Sequence, residues 1–281
     1  SILARSKIGS LRESLEPIGK TLATAVLPIL LIFFQPDLGS ALVFPPMVFT
    51  LLFLAKIPLR FFAIVLGIIV PVLGMVTVDM YRFQKHLETT GQTPLENLYA
   101  RARYESHSFV PLKDYQRNRI LAFVAPEVAD PQGIGVNWSR AQSLIAVGSG
   151  GLAGKGLGQS TQAKLGYLPS SVAHNDFIYS VLAEEKGFLG GALVLCLLAA
   201  VVGNGFRIAT QARDRFGMLL AAGVSVIFMT HIFINIGMTL GITPVTGLPL
   251  PMLSYGGSFV ISCCVLQGLL QSIYRFRKDF S

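Results

Sequence analysis

Charge is what this chain has least of. Asp, Glu, Lys and Arg make up 14% of its 281 residues, against about 25% in an ordinary soluble domain. Cysteine is scarce too. Cys196, Cys263 and Cys264 fall inside apolar runs, with no paired framework and no metal-ligand spacing, so no disulfide scaffold and no zinc module is legible. There is no internal repeat and no low-complexity tract. The formal net charge is +8, yet no basic stretch is interleaved with aromatics as a nucleic-acid channel requires; a nucleic-acid partner is therefore excluded. What the chain does have is apolar length. Hydrophobic residues fill 52% of it, with 19 Phe, 28 Gly and a mean hydropathy of +0.59. This composition belongs to an integral membrane protein, where Gly is commoner than in soluble helices.

Six apolar runs are long enough to be spans against the roughly 20 residues a helix needs to cross a bilayer. They cover 21–35, 39–56, 59–79, 176–203, 217–240 and 256–274. The expectation is an all-α polytopic membrane protein, a single membrane domain over 1–281. The first run is short and holds Pro28, which neighbouring helices can tolerate. The basic residues orient the spans. Arg5, Lys7, Arg12 and Lys20, then Lys56 and Arg60, then Arg207, Arg213 and Arg215, then Arg275, Arg277 and Lys278 cluster on one side. The connections "QPDLGS" (35–40) and "GITPVTGLPLPMLSYGG" (241–257) carry no Lys or Arg. Both termini are therefore expected on the cytoplasmic side, and the long segment 80–175 outside. The opening "SILARSK" reads as the tail of an earlier span, so the chain is expected to be a C-terminal portion of something longer.

The outer segment is too long for a plain connector. Its glycine-rich part, "AVGSGGLAGKGLGQSTQAKLGYLP" (146–169), fails the P-loop test, because Ser149 stands where the first Gly belongs and Gly156 follows Lys155. Two readings remain: glycines that let backbone amides approach an oxyanion, with Lys155 and Lys164 adding charge, or a flexible loop with scattered lysines. Next comes "AHNDFIYSVLAEEKG" (173–187), an apolar run that opens on a carboxylate and carries two more. Asn175 or Asp176 can cap the helix. Glu184 and Glu185 lie roughly 12–14 Å further along, about 80° and 180° round the helix from Asp176, so the three cannot share a face. Charges at that depth face a cavity or a partner, and at least one Glu is expected to be structural, paired with Lys186 or with a neighbouring helix. In 241–258, Pro244, Pro249 and Pro251 forbid a regular helix. That loop is expected to pack against Asp176, because Leu248, Leu250, Met252 and Leu253 would otherwise face water.

In order along the chain, "QPDLGS" (35–40), "DYQRNRI" (114–120), "AVGSGGLAGKGLGQSTQ" (146–162), "HNDFIYSVLAEEKGFLG" (174–190) and "GITPVTGLPLPMLSYGGS" (241–258) resemble the successive motifs of the RodA/FtsW/SpoVE (SEDS) family of bacterial cell-wall polymerases. "QPDLG" and "GLPLPMLSYGGS" look more like the RodA, cell-elongation, branch than the FtsW, cell-division, branch. The resemblance implies the last six helices of a ten-helix fold, with residues 84–112 as an insertion. It implies peptidoglycan glycosyltransfer during elongation and cell-shape maintenance, with lipid II as substrate and an FtsW-like division polymerase as the alternative. The location would be the bacterial inner membrane, and the partners a class B penicillin-binding protein and other elongation-complex membrane proteins.

The residue matching the family's catalytic aspartate is Asp176. One general base fits the reaction, since the acceptor hydroxyl must lose a proton while a pyrophosphate leaving group needs cations more than a proton. Lys155, Lys164, Arg117 and Arg119 are candidate counter-charges, and His174, Ser254, Gly256 and Gly257 are candidate substrate contacts. No cofactor is firmly implied. A divalent cation such as Mg or Mn near Asp176 would suit the chemistry, since hard cations choose oxygen ligands, and no closed metal site is legible. Two readings from other classes stand beside the enzyme: a lipid II flippase, and a non-catalytic membrane scaffold for a penicillin-binding protein.

Overall fold

The computed structural model describes residues 2–6, 11–34, 38–90, 110, 114–130, 133, 137–168 and 173–277. Regular structure among them is entirely helical. Short helix α1 (Ile2–Arg5) precedes α2 (Leu11–Phe34). The run 39–56 divides into a single turn, α3 (Leu38–Ala41), and α4 (Phe44–Leu54). Pro45 and Pro46 explain the division. Neither has an amide hydrogen to continue a helix begun earlier, whereas both are tolerated in the first turn of a new one. At 11 residues, α4 is about 16 Å long, well short of the ~30 Å hydrocarbon layer. Five helices are long and apolar enough to cross a membrane, with α4 as a shorter apolar companion. Six spans were expected, the first of them short; the proline pair is what leaves the second, 39–56, as the shorter α3 and α4.

Helix α5 (Leu59–Thr90) runs 11 residues past the expected end of its span. At about 48 Å it is longer than the ~30 Å hydrocarbon layer, so its last turns have room beyond it. There Met80, Phe83 and Leu87 form a small core with Leu121, Ala122 and Ala129 of α6 (Asp114–Val124) and α7 (Pro126–Ala129). Residues 84–90 of the expected insertion thus continue a helix; most of the remainder, like 35–37 of "QPDLGS", lies outside the described residues.

Helix α8 (Trp138–Ser149) and the one-turn α9 (Thr161–Lys164) lead to α10 (Ile178–Gln211), α11 (Arg215–Thr239) and α12 (Gly257–Arg275). Helix α11 is the hub, with α10, α4, α12 and α8 packed round it. It is buried over most of its length because it is rich in small residues: Gly217, Ala221, Ala222, Gly223 and Ser225 are buried. Such residues let backbones approach and gain van der Waals contact, the main source of helix association in lipid. On α10, a Cβ at Gly205 would fall 2.2 Å from Ser225 Oγ.

Candidate active site

Helix α10 is broken at Gly187, whose φ of 67° and ψ of −168° lie where only glycine sits without strain. A break strands main-chain groups on both sides, and each must find a partner. The glycine-rich loop supplies them. Lys155 N and Gly156 N donate to the carbonyls of Glu184 and Glu185, both at 3.0 Å, while Phe188 N and Leu189 N donate to Gly151 O and Leu152 O at 2.8 and 3.1 Å. A Cβ on Gly187 would lie 2.3 Å from Gly154 N, so the two chains meet too closely for any side chain there.

The same loop wraps the fully buried Glu184. Lys155 Nζ pairs with Oε1, Thr161 N donates to Oε1 at 2.9 Å, and Ser160 Oγ and Gln162 N donate to Oε2 at 2.6 and 3.4 Å. The oxyanion that the glycine loop approaches is therefore the protein's own. Glu184 is the structural carboxylate, but its cation is Lys155, not Lys186. Lys155, expected as a substrate counter-charge, is held in this clamp.

Asp176 stands differently. Helix α10 starts at Ile178, and its N-cap, Phe177, makes no side-chain cap bond; neither Asn175 nor Asp176 caps it, because residues 174–177 form a turn that places both ahead of the capping position. The Asp176 carboxylate is half-buried, and no donor among the described residues bonds it. Burial pushes its carboxyl above the usual aspartate range, and the nearby Arg119 guanidinium offsets part of the rise.

Loop 240–256 closes over this turn. Tyr255 N donates to His174 O at 3.0 Å, Ser254 Oγ to Asn175 O at 2.6 Å, and Asn235 Nδ2 to Asp176 O at 2.9 Å. Gly247, at φ 79°, lies so near the carboxylate that a Cβ there would meet Asp176 Oδ2 at 3.5 Å. The expected packing of this loop on Asp176 is present. Leu248 and Leu250 are buried as expected, whereas Met252 is exposed. Met252 instead rims an open groove of ≈ 670 Å³ between the heads of α10 and α12. The groove is lined by His174 and Ile178, which bracket Asp176 in the chain, and by Ser254, Tyr255, Gly256 and Gly257.

The remaining candidates divide. Arg119 neighbours Asp176, and Lys164 is exposed, its Nζ 3.2 Å from Gln159 Oε1. Arg117 is fully buried, its Nε 2.9 Å from Asp79 Oδ2 and its Nη2 2.8 Å from Val110 O; it braces α6 against α5 and offers no open guanidinium. Among the described residues no three His, Cys, Asp or Glu side chains gather as a metal cluster would require. Sequence reasoning missed Asn235, although a lone Asn in an apolar run was the available signal.

Long apolar helices in an all-helical bundle define a multi-pass membrane protein, and the desolvated Asp176 carboxylate in the turn before α10 marks its candidate site. Residues 1–279 match the FtsW/RodA/SpoVE family of cell cycle proteins, and the chain belongs to that family. It is 35% identical over 268 residues to the peptidoglycan glycosyltransferase MrdB of Escherichia coli K12, covering 95% of this chain and 63% of that protein. It is 34% identical to the peptidoglycan glycosyltransferase RodA of Treponema pallidum, covering 92% and 69%. The chain thus spans about 63% of the length of the first of these relatives. Its fold matches a chain from a peptidoglycan synthase complex that coordinates polymerization and crosslinking, with a TM-score of 0.66 at 24% identity over 96% of this chain and 65% of that one.

Proposed function

We propose that this chain carries the reacting carboxylate of a peptidoglycan glycosyltransferase that polymerises lipid II, in the RodA-like, cell-elongation branch. The observation that carries the reading is Asp176: a half-buried carboxylate without a bonded donor among the described residues, in the turn whose His174 lines an apolar groove, in a family whose relatives bear that activity in their names. Asp176 takes the proton from the acceptor sugar's 4-hydroxyl as that oxygen bonds to the donor's anomeric carbon. The bond from that carbon to the undecaprenyl pyrophosphate breaks, and the pyrophosphate leaves with the electron pair. Arg119, which acts on Asp176, is the cation to meet the negative charge, with the exposed Lys164 as a second candidate. A divalent cation such as Mg or Mn would find one carboxylate here, Asp176, and would need pyrophosphate and water oxygens to complete its shell. The groove between α10 and α12 takes the start of the lipid chain, with Met252 and Tyr255 at its rim.

The site side of the bundle faces outward in the bacterial inner membrane, with both termini of this chain cytoplasmic; the absence of Lys and Arg from 241–257 supports that orientation. A class B penicillin-binding protein and other elongation-complex membrane proteins are the partners. The partner's membrane helix fits a second apolar groove, ≈ 440 Å³, between α10 and α11. Gly203 of α10 lines this groove with nothing within 4 Å of its Cβ position, whereas Gly190 abuts Lys186, Gly191 meets Tyr179, and Gly205 meets Ser225 and Leu270. Gly203→Leu in the full-length protein should therefore weaken co-purification with the partner.

The decisive test reconstitutes the full-length protein and its partner in liposomes with lipid II. Glycan strands are expected; lipid II scrambled across the bilayer without polymer would favour a flippase instead. If neither occurs in a preparation that still binds its partner, a scaffold is the better account.

A further inference from the structure

Asn235 lies on α11 about one turn from its outer end and is fully buried. A carboxamide in an apolar helix costs free energy unless its hydrogen bonds are made. Its Nδ2 makes two, to Asp176 O at 2.9 Å and to Leu248 O at 2.7 Å. Both partners are carbonyls, which can only accept, so the amide must present its NH₂ group to them. Its Oδ1 is buried with no partner among the described residues, so these two bonds are the side-chain hydrogen bonds it makes there. One turn earlier on the same helix, His231 Nδ1 lies 3.2 Å from Pro249 O. Helix α11 thus reads consecutive carbonyls of the outer loop with two side chains four residues apart, and Asn235 alone of the pair also reaches residue 176.

The bond to Asp176 O fixes the peptide plane that follows the aspartate. The bond to Leu248 O fixes the residue after Gly247, whose backbone lies against the Asp176 carboxylate. A single nitrogen therefore sets the position of the carboxylate and of the wall facing it. We propose that Asn235 is a positioning residue, which holds Asp176 and the outer loop in register without touching substrate. This rests on the reading of Asp176 as the reacting group. Misplacement by about 1 Å can cost roughly a hundredfold in rate, so two bonds on the backbone of the reacting residue are enough to matter.

The test uses the full-length protein with its partner and compares wild type, Asn235→Leu, which keeps approximate volume and removes the donor, and Asn235→Ser, which is too short to bridge both carbonyls. Polymerisation kcat should fall about 10- to 100-fold while KM for lipid II stays within about threefold. Amide exchange in peptides 173–177 and 246–256 should rise together, by about tenfold, with the rest of α11 unchanged. A merely structural role would raise exchange throughout the bundle and leave kcat per folded molecule intact. If the Leu variant does not fold, the Ser variant carries the same expectations. Unchanged exchange in those two peptides overturns the tether, and raised exchange with wild-type kcat overturns the positioning role. Asp176→Asn measured alongside separates the two claims. If it is inactive while the Asn235 variants are silent, only this proposal falls; if it is fully active, the reading of Asp176 falls, and the catalytic half of this proposal falls with it.

Discussion

Asp176 and Glu184 are eight residues apart in one segment, yet their surroundings are opposite. Glu184 is fully buried and its two oxygens take four donors: an ammonium, a hydroxyl and two main-chain amides. Asp176 is only half-buried, and among the described residues no donor bonds its carboxylate, so burial dominates and its carboxyl is pushed up. A carboxylate whose lone pairs are filled holds a structure together but has no room for a proton in transit. One that is desolvated and unfilled is primed to accept one. The cations divide in the same way. Arg117 and Lys155 are committed to Asp79 and Glu184, while Arg119 neighbours Asp176 and Lys164 is exposed.

If that division is right, variants on the structural side should lose stability, and variants on the reactive side should lose rate alone. The largest loss of stability is expected from Arg117→Met, which removes the paired cation from the buried Asp79 carboxylate at a cost of about 3–5 kcal/mol, read as a lowered melting temperature in detergent. Gly187→Ala should cost about 3 kcal/mol or more, because its backbone is strained for any other residue and its Cβ would displace the glycine loop. Glu184→Gln should cost about 2 kcal/mol, and protease cleavage within 150–165 should accelerate, since that loop loses its anchor. Arg119→Gln should leave stability unchanged within about 0.5 kcal/mol and slow polymerisation.

Asp176 should show the reverse sign. Its carboxyl titrates higher in the folded protein than in the unfolded chain, so the charged form destabilises the fold. That penalty is fully present above the folded value and disappears as pH falls through it toward the unfolded value. Asp176→Asn should therefore melt no lower than wild type at neutral pH, and the difference should vanish in acid. The acid limb of kcat/KM should lie above the ordinary aspartate range, and Arg119→Gln should move it higher still by removing the favourable cation.

Much of this was legible beforehand, and the failures have physical causes. The expected limits of the last two spans fall within two residues of α11 and α12, because each is one unbroken apolar run. The contact of loop 240–256 with Asp176 followed from apolar residues among prolines. The capping role assigned to Asn175 or Asp176 failed because the chain makes a turn before the helix starts. The helical angles drawn from Asp176 to Glu184 and Glu185 failed for the same reason, since Asp176 stands in that turn and outside the helix, and the break at Gly187 carried no proline to announce it. Lys155 lies 29 residues from Glu184 in sequence, and no local pattern pairs them. Arg117 and Arg119 could have been separated in advance: residues two apart on a helix point about 200° apart, so only one could face the site.

The most direct test is Asp176→Asn in the full-length protein with its partner, assayed for lipid II polymerisation beside its melting temperature. The account predicts a fall of at least about 100-fold in rate, the low end for a lost general base, with lipid II binding kept and the melting temperature no lower than wild type. Polymerisation at the wild-type rate would contradict it.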